Sequence, residues 1–170
     1  FTTKNCPYPN KILIKNEIAT VRALDPNHPI MVTDSGEFGS WLRTRHLGDY
    51  LGTSMYRVVA EWWSGYIKYG PFIPAAYYPL KAYLVGKPLD KMIISELQAE
   101  PWTPTDLKQT SLSDQYRSMS IDQFKSNISF AKKTGFKEIY LWGAEWWYWL
   151  KIKQNEPRFW LEAKKVINGI

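Results

Sequence analysis

The chain has 170 residues, the size of one domain able to bury its own core, and its formal net charge of +6 comes from Lys and Arg scattered along the sequence. Scattered cations read as a solvated surface rather than a nucleic-acid face, the single Cys6 has no partner for an intramolecular disulfide, and no Cys/His spacing suggests a metal. The longest apolar stretch, residues 139–150, contains Glu145 and falls well short of the roughly 20 residues a membrane helix needs, and no signal peptide opens the chain, so its compartment stays open.

After the turn-rich residues 5–10, Ile14, Ile18, Val21 and Leu24 recur at helical spacing, which predicts a helix over 11–24 with Asn10 as N-cap. Residues 25–29 end it with two prolines, and 30–33 read as a short buried strand running into the polar loop Asp34-Ser35-Gly36-Glu37. A short helix over 40–47 precedes a strand over 49–56 and a second polar loop. Residues 75–85 form a helix that Pro79 starts or kinks, Gly86-Lys87-Pro88 closes it, and 91–96 are the third strand. A helix over 121–133 aligns Phe124, Ile128 and Ala131 on one face, Gly135 stops it, 138–142 are the fourth strand, and 158–167 the last helix.

Short apolar strands separated by helices imply parallel pairing through βαβ crossovers, so the expected class is α/β, as one domain over 1–170. An open doubly wound sheet and part of a barrel both fit; no strand runs into a glycine-rich phosphate loop, and either architecture puts function at the C-terminal strand ends.

Those ends bring forward Asp34, Ser35 and Glu37 with Trp41; Ser54 and Tyr56 with Arg57; Glu96, Gln98, Glu100 and Trp102; and Trp142 with Glu145 and Trp146. Carboxylates and amides bind hydroxyls while indoles cover ring C–H surfaces, a combination suited to sugars. Glycoside cleavage uses two carboxyl groups flanking the bond, and Glu96, following Met92-Ile93-Ile94-Ser95, is the best candidate for one. The plain alternative pairs Glu96 with Arg57 or Lys91. Likewise Asp34 can be a cap, Glu37 a solvated loop residue, Tyr56 a core tyrosine, and Trp62, Trp63 and Trp146–Trp149 the cover of a surface; His28 and His46 read as structural.

The run from Met92 to Trp102, MIISELQAEPW, resembles the seventh-strand region of the large retaining glycoside hydrolase clan that includes cellulases, mannanases and β-galactosidases. Residues 21–30 look like that clan's junction into strand five, 49–56 like strand six, and Ile139-Tyr140-Leu141-Trp142-Gly143 like strand eight. The resemblance implies the C-terminal half of a (βα)8 TIM-type barrel, with Glu96 as nucleophile, Tyr56 hydrogen-bonding it and Trp142 flooring the reacting sugar's subsite. It implies a saccharide substrate, no cofactor, and an acid/base glutamate outside this chain; Asn16-Glu17 matches the clan's Asn-Glu pair in letters but falls inside the first helix. An isolated half would leave two sheet edges open, so an N-terminal half-barrel or self-association is expected. Other readings are a non-catalytic carbohydrate-binding or scaffold module, and a self-contained enzyme with Glu37, Glu100 or Glu145 as acid.

Overall fold

Asn10 caps the first helix as expected: its side chain accepts a hydrogen bond from Ile12 N at 2.9 Å, satisfying one orphan donor of the first turn. The computed structural model describes residues 10–61, 65–70 and 72–169; residues 5–9 of the turn-rich opening, Cys6 among them, and the Trp62-Trp63 pair lie outside the described residues. The order is α1 (Lys11–Leu24), β1 (Met31–Asp34), β2 (Tyr50–Met55), β3 (Val58–Glu61), β4 (Gly65–Lys68), α2 (Tyr77–Leu84), β5 (Met92–Gln98), α3 (Leu112–Ser118), α4 (Ile121–Lys132), β6 (Glu138–Trp142), α5 (Ala144–Lys153) and α6 (Arg158–Ile167).

The expected α/β class holds: β1, β2, β5 and β6 form a four-stranded, wholly parallel sheet in that spatial order. Spatial order follows chain order without reversal, so this sheet lacks the switch point of a doubly wound fold. Leu51, Met55, Met92, Ile94 and Leu97 point to one face and pack with Tyr78 and Ala82 of α2, Phe124, Ile128 and Ala131 of α4, Trp146, Trp147 and Leu150 of α5, and Phe159 and Ala163 of α6. Each large apolar side chain buried there contributes roughly 1.5–3 kcal/mol, so this helix-covered face anchors the sheet.

The opposite face is shaped by a β-bulge in β5. Thr53 pairs with Ile94 but Ser54 pairs with Glu96, and on the other side Ile94 and Leu97 pair with Ile139 and Leu141, so one extra residue sits at Ser95-Glu96. Before the bulge the even positions Met92 and Ile94 face the helices; after it the odd positions Leu97 and Ala99 do. The inserted residue therefore turns Glu96 away from the core, where strict alternation would have buried it beside Ile94.

Three expectations are corrected, and one run left unassigned proves to be a helix. Residues 40–47 form successive turns, not a helix: Trp41 adopts φ 62°, and Thr44 N and Arg45 N both bond back to Trp41 O. The loop after β2 is an antiparallel hairpin, β3 with β4. The third strand runs two residues past Glu96 to Gln98. The aromatic run after β6 is helix α5, separated from the strand by Gly143 at φ 143°. Pro79 sits in the first turn of α2, where a missing N–H leaves no helical bond unmade.

Two edges of this sheet are unpartnered among the described residues. β1 and β6 each pair on one side only, and Met31 and Tyr140, on the face opposite the helices, are 41% and 55% exposed. Helix α1 buries none of its residues and leaves Ile12, Leu13, Val21 and Leu24 exposed. No helix among the described residues is long and apolar enough to cross a membrane.

Candidate active site

The C-terminal ends of all four strands open into one cleft of about 660 Å³, lined by Ser35, Glu37 and Phe38 after β1, Ser54 and Tyr56 at β2, Glu96 on β5, Trp102 beyond it and Trp142 closing β6. The β3–β4 hairpin adds Val59 and Glu61, with Tyr69 just beyond β4. At its centre Tyr56 donates from its phenol to Glu96 Oε2 at 3.0 Å. Burial first, and the Glu96 carboxylate second, push the Tyr56 phenol far above its ordinary range, so it stays protonated and serves as a donor. Trp102 meets the Tyr56 ring edge to face, 5.1 Å between centroids. Glu96 pairs with no cation among the described residues: Arg57 lies over the Phe130 ring and donates to Ile73 O, and Lys91 lies over Tyr50.

Behind this pair stands Glu37, which the sequence also offered as a solvated loop residue. It is only 8% exposed, and its Oε1 accepts from Tyr56 N and from the Tyr78 hydroxyl, both at 2.8 Å. Gly36 makes this possible: a Cβ there would stand 1.9 Å from Ser54 O, so only glycine lets the loop lie against β2. Lys81 bridges to the same loop, donating to Gly36 O at 2.8 Å with its ammonium over the Trp41 ring. Glu37 therefore fixes the backbone that carries Tyr56.

Burial raises the Glu37 carboxyl above its usual range, against the hydrogen bonds and the Arg57 charge that lower it. A carboxyl whose pKa rises on folding adds stability below its unfolded value and loses that contribution as pH climbs through the folded value. Glu37→Gln keeps an acceptor oxygen for Tyr56 and Tyr78 but does not titrate. The parent's unfolding free energy, compared with the variant's, should therefore fall as pH rises above about 4, the ordinary glutamate range, in urea titrations. A difference that stays flat with pH contradicts this role.

Trp142 is half exposed, and its indole N–H donates to Glu100 Oε1 at 2.9 Å, fixing the ring at the rim. Burial raises the Glu100 carboxyl, the Trp142 bond lowers it, and Glu145 raises it again. Trp142→Phe keeps a ring but loses this tether.

Other sequence candidates stand elsewhere. Trp41 is fully buried, its N–H bonded to Ser35 O, and offers no ring face to a ligand. Gln98, 1% exposed, spends its amide on Arg57 N, Val58 N and Val58 O, tying β5 to the start of the hairpin. Asp34 takes hydrogen bonds from Ser35 N and the Thr44 hydroxyl, so it caps the loop. Glu145, in the first turn of α5, lines a separate groove with Leu107, Lys108, Trp146 and Trp149. Trp146 and Trp147 are core residues, bonded to Gln115 Oε1 and Ala99 O. Exposed His28 pairs with Asp25.

The residues missed from sequence are Phe38, Val59, Glu61 and Tyr69. The runs 58–61 and 65–68, with Gly65 opening the second, carry a hairpin signature that would have brought the last three forward. Among the described residues no group of three or more His, Cys, Asp or Glu is placed to hold a metal ion. Comparison with protein families, with curated proteins and with solved structures finds no match to this chain.

Proposed function

We propose that the chain is the C-terminal half of a retaining β-glycosidase barrel, with Glu96 as the nucleophile. The observation that carries this reading is the 3.0 Å contact from the Tyr56 hydroxyl to a Glu96 that a β-bulge has turned into an aromatic-lined cleft. Unpaired edges on β1 and β6 and the exposed Met31 and Tyr140 support a companion half-barrel that would pair those edges and cover that face, whichever polypeptide carries it.

In the completed site Glu96 attacks the anomeric carbon as the bond to the leaving oxygen breaks, and a glutamate from the companion half protonates that oxygen. The same glutamate then takes a proton from water, which attacks the anomeric carbon, breaks the ester to Glu96 and restores the β configuration. Tyr56, held by Glu37, aims the carboxylate and steadies its charge. Trp142 and Trp102 provide flat apolar surfaces for sugar rings.

The test is the stereochemical course. The full gene product should release the β-anomer first from an aryl β-glycoside, followed by proton NMR before mutarotation; first release of the α-anomer, or no hydrolysis of any β-glycoside, contradicts the proposal. Glu37 shares the cleft and its carboxyl is raised by burial, so it is the internal alternative to an outside acid. Turnover by these 170 residues alone that disappears in Glu37→Gln would favour that second reading.

A further inference from the structure

We infer, on the saccharide reading above, that the cleft selects by charge: it takes a saccharide bearing protonated amines ahead of its neutral counterpart and turns away one bearing carboxylates. The formal charge of the chain is +6, yet among the described residues the cleft has the opposite sign, for Glu37, Glu61 and Glu96 line it and no Lys, Arg or His does. A generally basic protein places cations around such a cleft by chance; here they are kept out of it. The cations nearest Glu37 approach from the core side, Arg57 over Phe130 and Lys81 bonded to Gly36 O over Trp41. The Arg57 charge lowers the Glu37 carboxyl from that side, against the burial that raises it.

Two further observations point to a cationic ligand. Glu37 is deeply buried yet lines the cleft, and both hydrogen bonds it takes from other described residues end on Oε1. Glu61, at the end of β3, pairs with no cation among the described residues. The remaining walls are aromatic, and ring faces such as those of Tyr69, Trp102 and Trp142 attract ammonium groups while giving an incoming carboxylate nothing in return. A neutral sugar meets these groups only through hydroxyl hydrogen bonds; an ammonium adds charge-assisted ones, and a carboxylate meets like charge.

The test compares β-1,4-linked tetramers of glucosamine, glucose and glucuronic acid, binding by calorimetry at low ionic strength to the full gene product carrying Glu96→Gln, which leaves the sugars intact. The glucosamine tetramer should bind about tenfold tighter than the glucose tetramer, the yield of two or three partly exposed ion pairs, and the glucuronic acid tetramer at least about tenfold weaker than glucose. Glu61→Gln should narrow the first gap severalfold, and so should salt, which screens exposed pairs. Glucosamine binding no tighter than glucose, or glucuronic acid binding as tightly as glucose, overturns the inference and leaves the saccharide reading standing. No binding of any of the three overturns the saccharide reading and the inference with it.

Discussion

Glu96→Gln in the full gene product is expected to lower hydrolysis of an aryl β-glycoside by on the order of 10⁴-fold or more, since removing a nucleophile in other enzymes has effects of that size. Folding should survive, because Glu96 makes no ion pair among the described residues and its one bond, to the Tyr56 hydroxyl, can be accepted by an amide oxygen. Circular dichroism and urea unfolding should move by no more than about 1 kcal/mol, the range of most substitutions outside a core. Glu96→Gly adds a sharper readout. Azide can then attack the anomeric carbon from the face the carboxylate vacated, restoring turnover and leaving an α-glycosyl azide. A Glu96→Gln enzyme with activity within tenfold of the parent would remove the residue from the chemistry.

Gly143→Ala is expected to destabilise the fold by roughly 2–5 kcal/mol, the combined range for a strained backbone and an overpacked contact. Gly143 has φ 143°, open to glycine and strained for alanine, and a Cβ there would lie 2.8 Å from Ala99 C and O. That backbone cannot yield cheaply. Ala99 N bonds Trp142 O at 2.9 Å, and Ala99 O accepts from the buried Trp147 indole. The substitution therefore pushes apart the end of β6, the start of α5 and the loop after β5 together. Unfolding in urea should show the loss, and intrinsic fluorescence should show Trp142 leaving its Glu100 partner. Stability within about 0.5 kcal/mol of the parent would mean that the turn is looser than its geometry implies.

Helices and strands with clear periodicity were legible before any coordinates. Helix α1 matches its predicted bounds, and Phe124, Ile128 and Ala131 lie on the buried face of α4. The parallel pairing follows from strands too apolar for a half-solvated sheet, joined through helices. What misled were residues whose placement depends on partners distant in sequence. Ser40 to Leu47 read as helix locally, yet Trp41 adopts a left-handed backbone so that its indole can fill the core against Lys81. The bulge at Ser95-Glu96 leaves no mark on the alternation of a strand so apolar on both faces. Gln98 and Glu37 traded places in role: the amide looked free to bind ligand but is consumed by Arg57 N and the Val58 backbone, whereas the loop carboxylate is buried against Tyr78.

In the site, Glu96, Tyr56, Trp102 and Trp142 were all named from strand-end position and do line one cleft. Their mutual geometry was not readable, because the sequence neither shows that β2 and β5 are neighbours nor that Ser54 sits opposite Glu96. The hairpin left only a faint signature, for a simpler reason. Its strands are only four residues each and adjoin an aromatic pair, so the segment reads as loop.

The most direct measurement is covalent trapping. A 2-deoxy-2-fluoro glycoside with an activated leaving group slows hydrolysis of the glycosyl-enzyme ester, so the full gene product should become inactivated with one sugar per chain, and mass spectrometry of the digest should place it on Glu96. A label on Glu37, Glu61 or Glu100 instead, or turnover of β-glycosides without any trapped ester, would contradict Glu96 as the nucleophile.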